Sequence, residues 1–177
     1  WIVAGAYQSR GATRHARDIG MSYSTQRYGG GNPLALRQVT DGARNAGSIY
    51  AFDTFTVNRA LTVAYGARYE RFDYLEQRNL LSPKAEVTLK PFKATRMTVA
   101  LSSRADAPGA QEFRSPSDEG IWLPPQRTFS SAEAGQPLRA ERANQLSAAL
   151  ARDVGPTTVT VRGFRQQATD QMVTVFG

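Results

Sequence analysis

Leu61-Thr-Val-Ala-Tyr-Gly-Ala-Arg-Tyr-Glu-Arg71 alternates between two kinds of side chain along its length. Leu61, Val63, Tyr65 and Tyr69 fall on one set of alternate positions, whereas the other set holds small, hydroxyl-bearing or charged residues. In an extended chain, successive side chains point to opposite faces, so a period of two marks a strand. The stretch therefore predicts a β-strand with one apolar face and one small or charged face.

The segments on either side repeat this pattern. Residues 47–57 precede the stretch across a tight break at Asn58-Arg59, and residues 81–89 and 96–104 follow it. Each of the later segments also sorts its apolar residues onto every second position. Residues 47–104 therefore predict four strands whose connectors alternate between short and long.

Further strands are predicted toward both ends of the chain. Residues 1–10, 15–28 and 157–164 alternate in the same way, and a ninth strand begins at Gln171. Residues 138–152 fit a helix by their Ala, Leu, Glu and Arg content, but they also alternate. We interpret them as a strand, because the turn that follows and the next strand suit a hairpin. The fold class is thus all-β, an antiparallel up-and-down meander of eight to nine strands.

The connectors of this meander are of two kinds. Short turns are expected after strands one, three, five and seven, and longer connectors after the even-numbered strands. The two longest, at residues 29–46 and 105–136, contain a triple glycine and several prolines respectively, which do not extend a strand ladder. We therefore expect one β-barrel segment over residues 1–177, with long outer loops at 29–46 and 105–136.

Periodicity alone does not say which face of the sheet is inside. A soluble barrel or sandwich packs its apolar face inward, whereas an outer-membrane barrel turns that face to lipid. Segments of about ten residues match a tilted membrane strand, and turns that alternate with long loops match an outer-membrane barrel. The alternative is a small closed eight-stranded barrel, soluble or membrane-embedded, that binds one ligand in its interior.

Composition argues against several classes of function. The chain has no cysteine and a single histidine, His15, so it offers neither a histidine metal cluster nor a Ser-His-Asp arrangement with a spare base. Its net charge is +7, but the arginines are scattered along strands and loop tips rather than interleaved with aromatics, which does not favour nucleic-acid binding. We expect a protein that is not an enzyme, with no metal and no cofactor.

Several motifs, taken in order, resemble one family. They are Tyr50-Ala-Phe-Asp-Thr-Phe55, Asn58-Arg-Ala-Leu-Thr-Val-Ala-Tyr-Gly-Ala-Arg-Tyr69, Leu81-Ser-Pro-Lys-Ala85, Ser102-Ser-Arg-Ala-Asp-Ala-Pro-Gly-Ala-Gln-Glu-Phe113 and Leu138-Arg-Ala-Glu-Arg-Ala-Asn-Gln-Leu146. The chain resembles the middle of the β-barrel of TonB-dependent outer-membrane receptors. Together these motifs cover roughly residues 48–165.

The resemblance implies a location, a function and a set of partners. Receptors of this family have barrels of about 22 strands with a plugged lumen. They sit in the outer membrane of Gram-negative cells and take up scarce ligands of the siderophore, cobalamin or glycan type. The chain is then an internal portion of a barrel without a signal peptide. Its partners are outer-membrane lipid, a plug domain, the remaining strands, an inner-membrane TonB-type complex that acts through the plug, and the ligand.

Two groups of candidate residues follow from the barrel hypothesis. The outer loop offers charge and an aromatic face to a ligand, through Arg104, Gln111, Arg114, Trp122 and Arg127. An outer aromatic girdle is expected from residues near the loop-side ends of the strands: Tyr28, Tyr50, Phe52, Tyr69, Phe72 and Tyr74. Asp53 and Arg68 lie on facing strands and are expected to pair across the ladder if both point into the lumen.

Overall fold

A computed structural model describes residues 1–9, 14–27, 43–110 and 137–171 of the chain. These residues form eight β-strands and no helix. The strands are β1 (Ile2–Gln8), β2 (His15–Arg27), β3 (Ala43–Thr56), β4 (Leu61–Phe72), β5 (Asn79–Phe92), β6 (Thr95–Asp106), β7 (Glu141–Val154) and β8 (Thr157–Thr169). Accordingly, this part of the chain contains no helix long and apolar enough to cross a membrane.

All eight strands belong to one antiparallel sheet in which each strand pairs with its neighbours in sequence, in the order β1 to β8. This confirms the predicted all-β meander. Residues 57–60, 93–94 and 155–156 make short turns at one end of the sheet, which we call the turn end. Residues 73–78 lie at the other end, which we call the loop end, together with residues 107–110 and 137–140, the described ends of the connector between β6 and β7.

Several predicted boundaries change. Ala43 to Ala46 were expected in a loop, but they pair with β2 as the start of β3, and β6 likewise extends to Asp106. The Ala-Arg-Asn-Ala sequence at 43–46 has little intrinsic strand propensity. Pairing with β2 nevertheless stabilises the extended conformation of these residues. Residues 28–42, 111–136 and 172–177, which include most of both predicted loops and of the ninth strand, lie outside the described residues.

The ambiguous segment before the last hairpin is a strand. β7 pairs with β6 over Glu141–Arg152 and with β8 over Arg142–Val154. Its Ala and Leu residues favour a helix in isolation, but two neighbouring ladders satisfy its backbone hydrogen-bonding groups. The interpretation of residues 138–152 as a strand is confirmed for residues 141–152, and the strand continues to Val154.

The apolar face of the sheet is exposed. One row of paired residues runs across five strands through Leu61, Leu89, Met97, Leu150 and Val161. In this face Val161 is 68% exposed and Leu101 55% exposed. The opposite, polar face carries side chains such as those of Ser22, Thr88 and Thr98. A soluble sheet covers its apolar face, whereas a membrane barrel presents that face to lipid.

Buried apolar side chains of the described chain collect at the loop end. They form one cluster, which we call the loop-anchoring core: Ala46, Phe72, Leu75, Leu80, Ala105, Ala107, Leu138 and Ala140. Leu80 is 1% exposed and is the largest fully buried side chain of this part of the molecule. The rest of the sheet is therefore held mainly by its backbone ladder and cross-strand pairs.

Candidate functional site

Two aromatic rings on the polar face lie flat over glycines of the neighbouring strands. Tyr50 pairs with Gly20 of β2, and Phe52 pairs with Gly66 of β4. A Cβ atom at position 20 would overlap the Tyr50 ring, and one at position 66 would overlap the Ala51 carbonyl oxygen and the Phe52 ring. Only glycine leaves room for each ring, so both glycines are explained by close approach.

Charged groups surround these rings. The Tyr50 hydroxyl donates a hydrogen bond of 3.2 Å to Asp18, and the Arg68 guanidinium lies 5.2 Å from the Tyr50 ring centroid. Arg68 is also 4.0 Å from a carboxylate oxygen of Glu70. We call Asp18, Tyr50, Phe52, Arg68 and Glu70 the Tyr50 cluster. It presents an aromatic surface flanked by charges of both signs.

A cavity of about 380 Å³ opens beside the Tyr50 cluster. Its walls include Ala4, Ser22 and Ser48 together with Tyr50, Arg68 and Glu70. The Ser22 and Ser48 hydroxyl oxygens are 2.8 Å apart and hydrogen-bonded across the strands. The lining offers hydrogen-bond donors and acceptors together with the aromatic rings of Tyr50 and Phe72, which suits a polar surface packed against the sheet.

The polar face of β5 to β8 is lined differently. Small residues such as Ala100, Ser147 and Ala149 occupy it, with Lys84 and Arg162 at its margins, around an open cavity of about 660 Å³. Short side chains leave this half of the face open, whereas Tyr50 and Phe52 fill the other half.

At the loop end, residues 73–78 hold both bases of the long loop. The Tyr74 hydroxyl donates a hydrogen bond of 2.6 Å to the Pro108 carbonyl, on the side where the loop begins. On the side where it ends, the Glu76 backbone N–H donates to the Leu138 carbonyl at 3.1 Å, and Arg139 Nε donates to Glu76 Oε2 at 2.9 Å. The two bases are therefore fixed relative to each other.

The loop-anchoring core supports these contacts. Leu75, in the middle of residues 73–78, is 3% exposed, and Leu138 is 7% exposed. The Arg44 guanidinium lies 4.6 Å from the Tyr74 ring centroid, and Phe72 meets the same ring edge-on at 5.7 Å. The Glu76 carboxylate raises the pKa of the Arg139 guanidinium, chiefly through their hydrogen bond. The buried apolar side chains and the polar contacts thus both stabilise the base of the loop.

Of the predicted ligand-binding residues, Arg104 lies in the part of the chain that the structure describes. It lies near the loop end of β6, where its Nη2 donates a hydrogen bond of 3.1 Å to Asp106 Oδ1. Gln111, Arg114, Trp122 and Arg127 lie outside the described residues. Arg104 is exposed and lies two residues before the end of β6 at Asp106.

The predicted aromatic girdle divides between the two faces. Tyr69 lies on the apolar face, where its hydroxyl donates to Asn79 at 2.9 Å. Tyr50, Phe52 and Phe72 lie on the polar face or in the loop-anchoring core, so they do not share the face of Tyr69. The reason is parity, because the side chains at even-numbered positions of β3 and β4 lie on the same face as Arg68. Tyr74 lies beyond the end of β4, and Tyr28 lies outside the described residues.

Other aromatic residues lie on the apolar face toward the loop end. The rings of Trp1 and Tyr23 are 5.4 Å apart, and the Tyr23 hydroxyl donates to Asn45 at 3.3 Å. The Tyr23 and Tyr69 hydroxyl groups are directed toward the loop end, and all three rings lie on the exposed face, as in an interfacial belt. The signal was present in the sequence, because Tyr23 alternates in step with Ile19 and Met21.

The predicted pair of Asp53 and Arg68 does not form. Asp53 lies opposite Arg17 and Tyr65 on the apolar face, whereas Arg68 lies on the polar face. The Asp53 carboxylate instead contacts His15 Nδ1 at 2.6 Å and accepts a hydrogen bond from the Tyr65 hydroxyl. His15 begins β2 rather than lying in a turn. No group of three potential metal ligands is assembled in the described ranges.

The sheet has counterparts among known proteins. A family model described as "TonB dependent receptor-like, beta-barrel" matches residues 3–177. The chain belongs to this family. Receptors of this kind are outer-membrane proteins of Gram-negative bacteria, and the eight-stranded meander is consistent with a portion of their barrel. The resemblance predicted from the sequence motifs is therefore confirmed.

The fold of this chain is also similar to part of a solved structure. The FrpB iron transporter from Neisseria meningitidis (F3-3 variant) matches with a TM-score of 0.57 and 15% sequence identity. The match covers 96% of this chain and 28% of the transporter chain. A comparison with curated protein sequences finds no match.

The small closed barrel considered as an alternative is not observed. In the described sheet β1 and β8 are both edge strands, and each pairs with a single neighbour. A closed eight-stranded barrel requires these two strands to pair. The eight strands therefore form an open wall of the receptor barrel.

Proposed function

We propose that this chain is part of the barrel wall of an outer-membrane receptor that takes up a scarce ligand by energy-coupled transport. The observation that carries the proposal is the exposed apolar face opposite a polar face, in a sheet whose loop end alone contains a buried core. Such a sheet is stable when lipid covers one side and a lumen lies on the other. Family membership assigns the wall to a receptor.

The outer loop between β6 and β7 is the proposed site of ligand capture. Its bases are held at fixed positions by Tyr74, Glu76 and the loop-anchoring core. A binding loop gains affinity when its ends are ordered before the ligand arrives. In this proposal Arg104, Gln111, Arg114, Trp122 and Arg127 contact the ligand.

The ligand class proposed is a siderophore, cobalamin or glycan. The structural neighbour is an iron transporter, which favours an iron chelate as the first ligand to test. Arginine side chains suit the carboxylate and phenolate oxygens of such chelates, because guanidinium groups form charge-assisted hydrogen bonds.

The proposed partners are those that a wall segment requires. Lipid covers the apolar face, and the remaining strands of the barrel pair with the edges of β1 and β8. A plug domain packs against the polar face, where the Tyr50 cluster and the open half around Ala100 offer different surfaces. An inner-membrane TonB-type complex supplies energy through that plug.

Ligand binding to the full-length receptor tests this proposal. A panel of ferric chelates, cobalamin and oligosaccharides is titrated against the purified protein, and the best ligand is then tested against Trp122→Ala and Arg104→Gln. Each substitution is expected to weaken binding about tenfold, or ~1.4 kcal/mol. Phe164→Ala and Arg96→Gln are the matched controls, since Phe164 lies in the middle of β8 and Arg96 lies near the turn end, both away from the loop.

Uptake in cells tests the transport step separately. Cells that lack the inner-membrane complex are expected to bind the ligand at the surface but not to accumulate it. Binding by none of the panel, or equal binding by the loop variants and the wild type, would contradict ligand capture by this loop. Accumulation without the complex would contradict energy coupling.

A further inference from the structure

The turn end of the sheet carries exposed cations. Arg14, Arg59, Lys93 and Arg152 are all exposed there, and we call them the basic rim. Within the described ranges, no carboxylate lies at ion-pair distance from any of these four residues. At the loop end, by contrast, Arg104 pairs with Asp106 and Arg139 pairs with Glu76. The positive charge of the rim is therefore available to a partner outside the sheet.

The nearby carboxylates at the turn end form hydrogen bonds with residues other than those of the basic rim. Asp153 lies opposite Thr158 in the ladder, and its Oδ1 accepts a hydrogen bond of 2.7 Å from the Thr158 hydroxyl. Asp53 is engaged by His15 and Tyr65. Neither acid neutralises the rim, so a local positive potential remains at this end.

Apolar side chains accompany these cations on the exposed apolar face. Phe92 is 73% exposed and directly precedes Lys93, and Val154 is 60% exposed and lies two residues after Arg152. A β-bulge between Leu89 and Phe92 turns Phe92 to the apolar face, where it pairs with Thr95. Thr95 pairs in turn with Arg152, which places that arginine on the same face. Apolar groups that point into hydrocarbon beside cations are the arrangement of a membrane interface.

We propose that the basic rim binds the headgroups of anionic phospholipids in the leaflet at the turn end. This rests on the membrane placement in the proposed function, in which short turns face the periplasm. Phosphate oxygens accept charge-assisted hydrogen bonds from guanidinium and ammonium groups. Each cation near an anionic lipid surface adds to the attraction. The rim then fixes the depth of the turn end in the bilayer.

Lipid preference of the reconstituted full-length receptor tests the proposal. The protein is placed in bilayers of phosphatidylcholine with a minor fraction of labelled phosphatidylglycerol, and the ratio of the two lipids in contact with it is measured. The triple variant R59Q/K93Q/R152Q is expected to lose about tenfold of the preference for phosphatidylglycerol at low salt. Added salt should reduce the wild-type preference and change that of the variant much less.

A matched control removes the same kinds of charge from the polar face. The variant K84Q/R96Q/R162Q also replaces one lysine and two arginines, but these side chains line the open cavity rather than the rim. It is expected to keep the wild-type lipid preference. An equal loss in both variants would assign the effect to net charge and overturn the proposal, as would a rim variant that behaves like the wild type.

Insertion into the bilayer is measured in the same samples by protection from protease. A wild-type receptor that inserts but shows no lipid preference overturns the rim proposal and leaves the proposed function standing. A receptor that does not insert overturns both, because the rim then meets no headgroups.

Discussion

Strands β4 and β8 have similar sequences in outline but very different surroundings. Both alternate, and both carry a central glycine, an arginine on the polar face and a phenylalanine. In β4, Gly66 lies under the Phe52 ring, Arg68 lies over Tyr50, and Phe72 is 3% exposed. In β8 a Cβ at Gly163 would meet nothing within 4 Å, and Phe164 is 69% exposed. Alternation specifies a strand, whereas the partners across the ladder decide whether its side chains pack.

The largest expected contrast is between the two phenylalanines. Phe72→Ala removes a buried ring from the loop-anchoring core and is expected to lower the free energy of unfolding by about 3–5 kcal/mol. Phe164→Ala is expected to change it by less than about 0.5 kcal/mol. Urea unfolding of the full-length receptor in lipid, followed by tryptophan fluorescence, measures both. A large effect of Phe164→Ala would show that this ring packs against a part of the receptor beyond the described strands.

The two glycines give the next contrast. Gly66→Ala places a Cβ against the Ala51 carbonyl and the Phe52 ring, so backbone and ring must both shift. We expect a loss of about 1–3 kcal/mol in stability, as for other overpacked sites. Gly163→Ala meets no atom and is expected to be neutral or slightly stabilising, because alanine restricts the unfolded chain. Equal effects in the same unfolding assay would argue against the stacking of Phe52 on Gly66.

The smallest contrast concerns the arginines. Arg68→Gln removes the cation from the Tyr50 ring and from Glu70, which is expected to destabilise by about 0.5–1 kcal/mol. Arg162→Gln lies in the open half of the polar face, and a change within the error of the measurement is expected. Repeating both at high salt separates the two contributions of Arg68, since only the ion pair with Glu70 is strongly screened.

Much of the fold follows from the sequence because the period of two is local information. The strands and the short turns near 58–60, 91–93 and 154–156 were predicted from neighbouring residues alone, and the structure has these turns at 57–60, 93–94 and 155–156. For β7, the position of the following turn favoured a strand although the residue composition favoured a helix, and the structure contains a strand there. Family membership followed from motif order. These inferences need no knowledge of which residues meet across the sheet.

The candidate site was predicted less well because it depends on register. Tyr50 and Phe52 were assigned to a lipid-facing girdle by their position near strand ends, but their parity places them over Gly20 and Gly66. The loop-anchoring core joins Leu75 and Leu138, which are far apart in sequence and carry no shared motif. Asp53 and Arg68 were correctly placed on facing strands. Their positions in the ladder differ in parity, however, so their side chains lie on opposite faces of the sheet.

The bulge in β5 has a consequence for comparing this chain with its relatives. Between Leu89 and Phe92 the strand contains one residue more than its partner, and this extra residue decides that Phe92 faces outward. A relative without it should carry its outward aromatic one position earlier. An alignment that matches the two aromatic residues without a gap would then shift the part of β5 before the bulge by one residue and assign its side chains to the wrong face of the sheet.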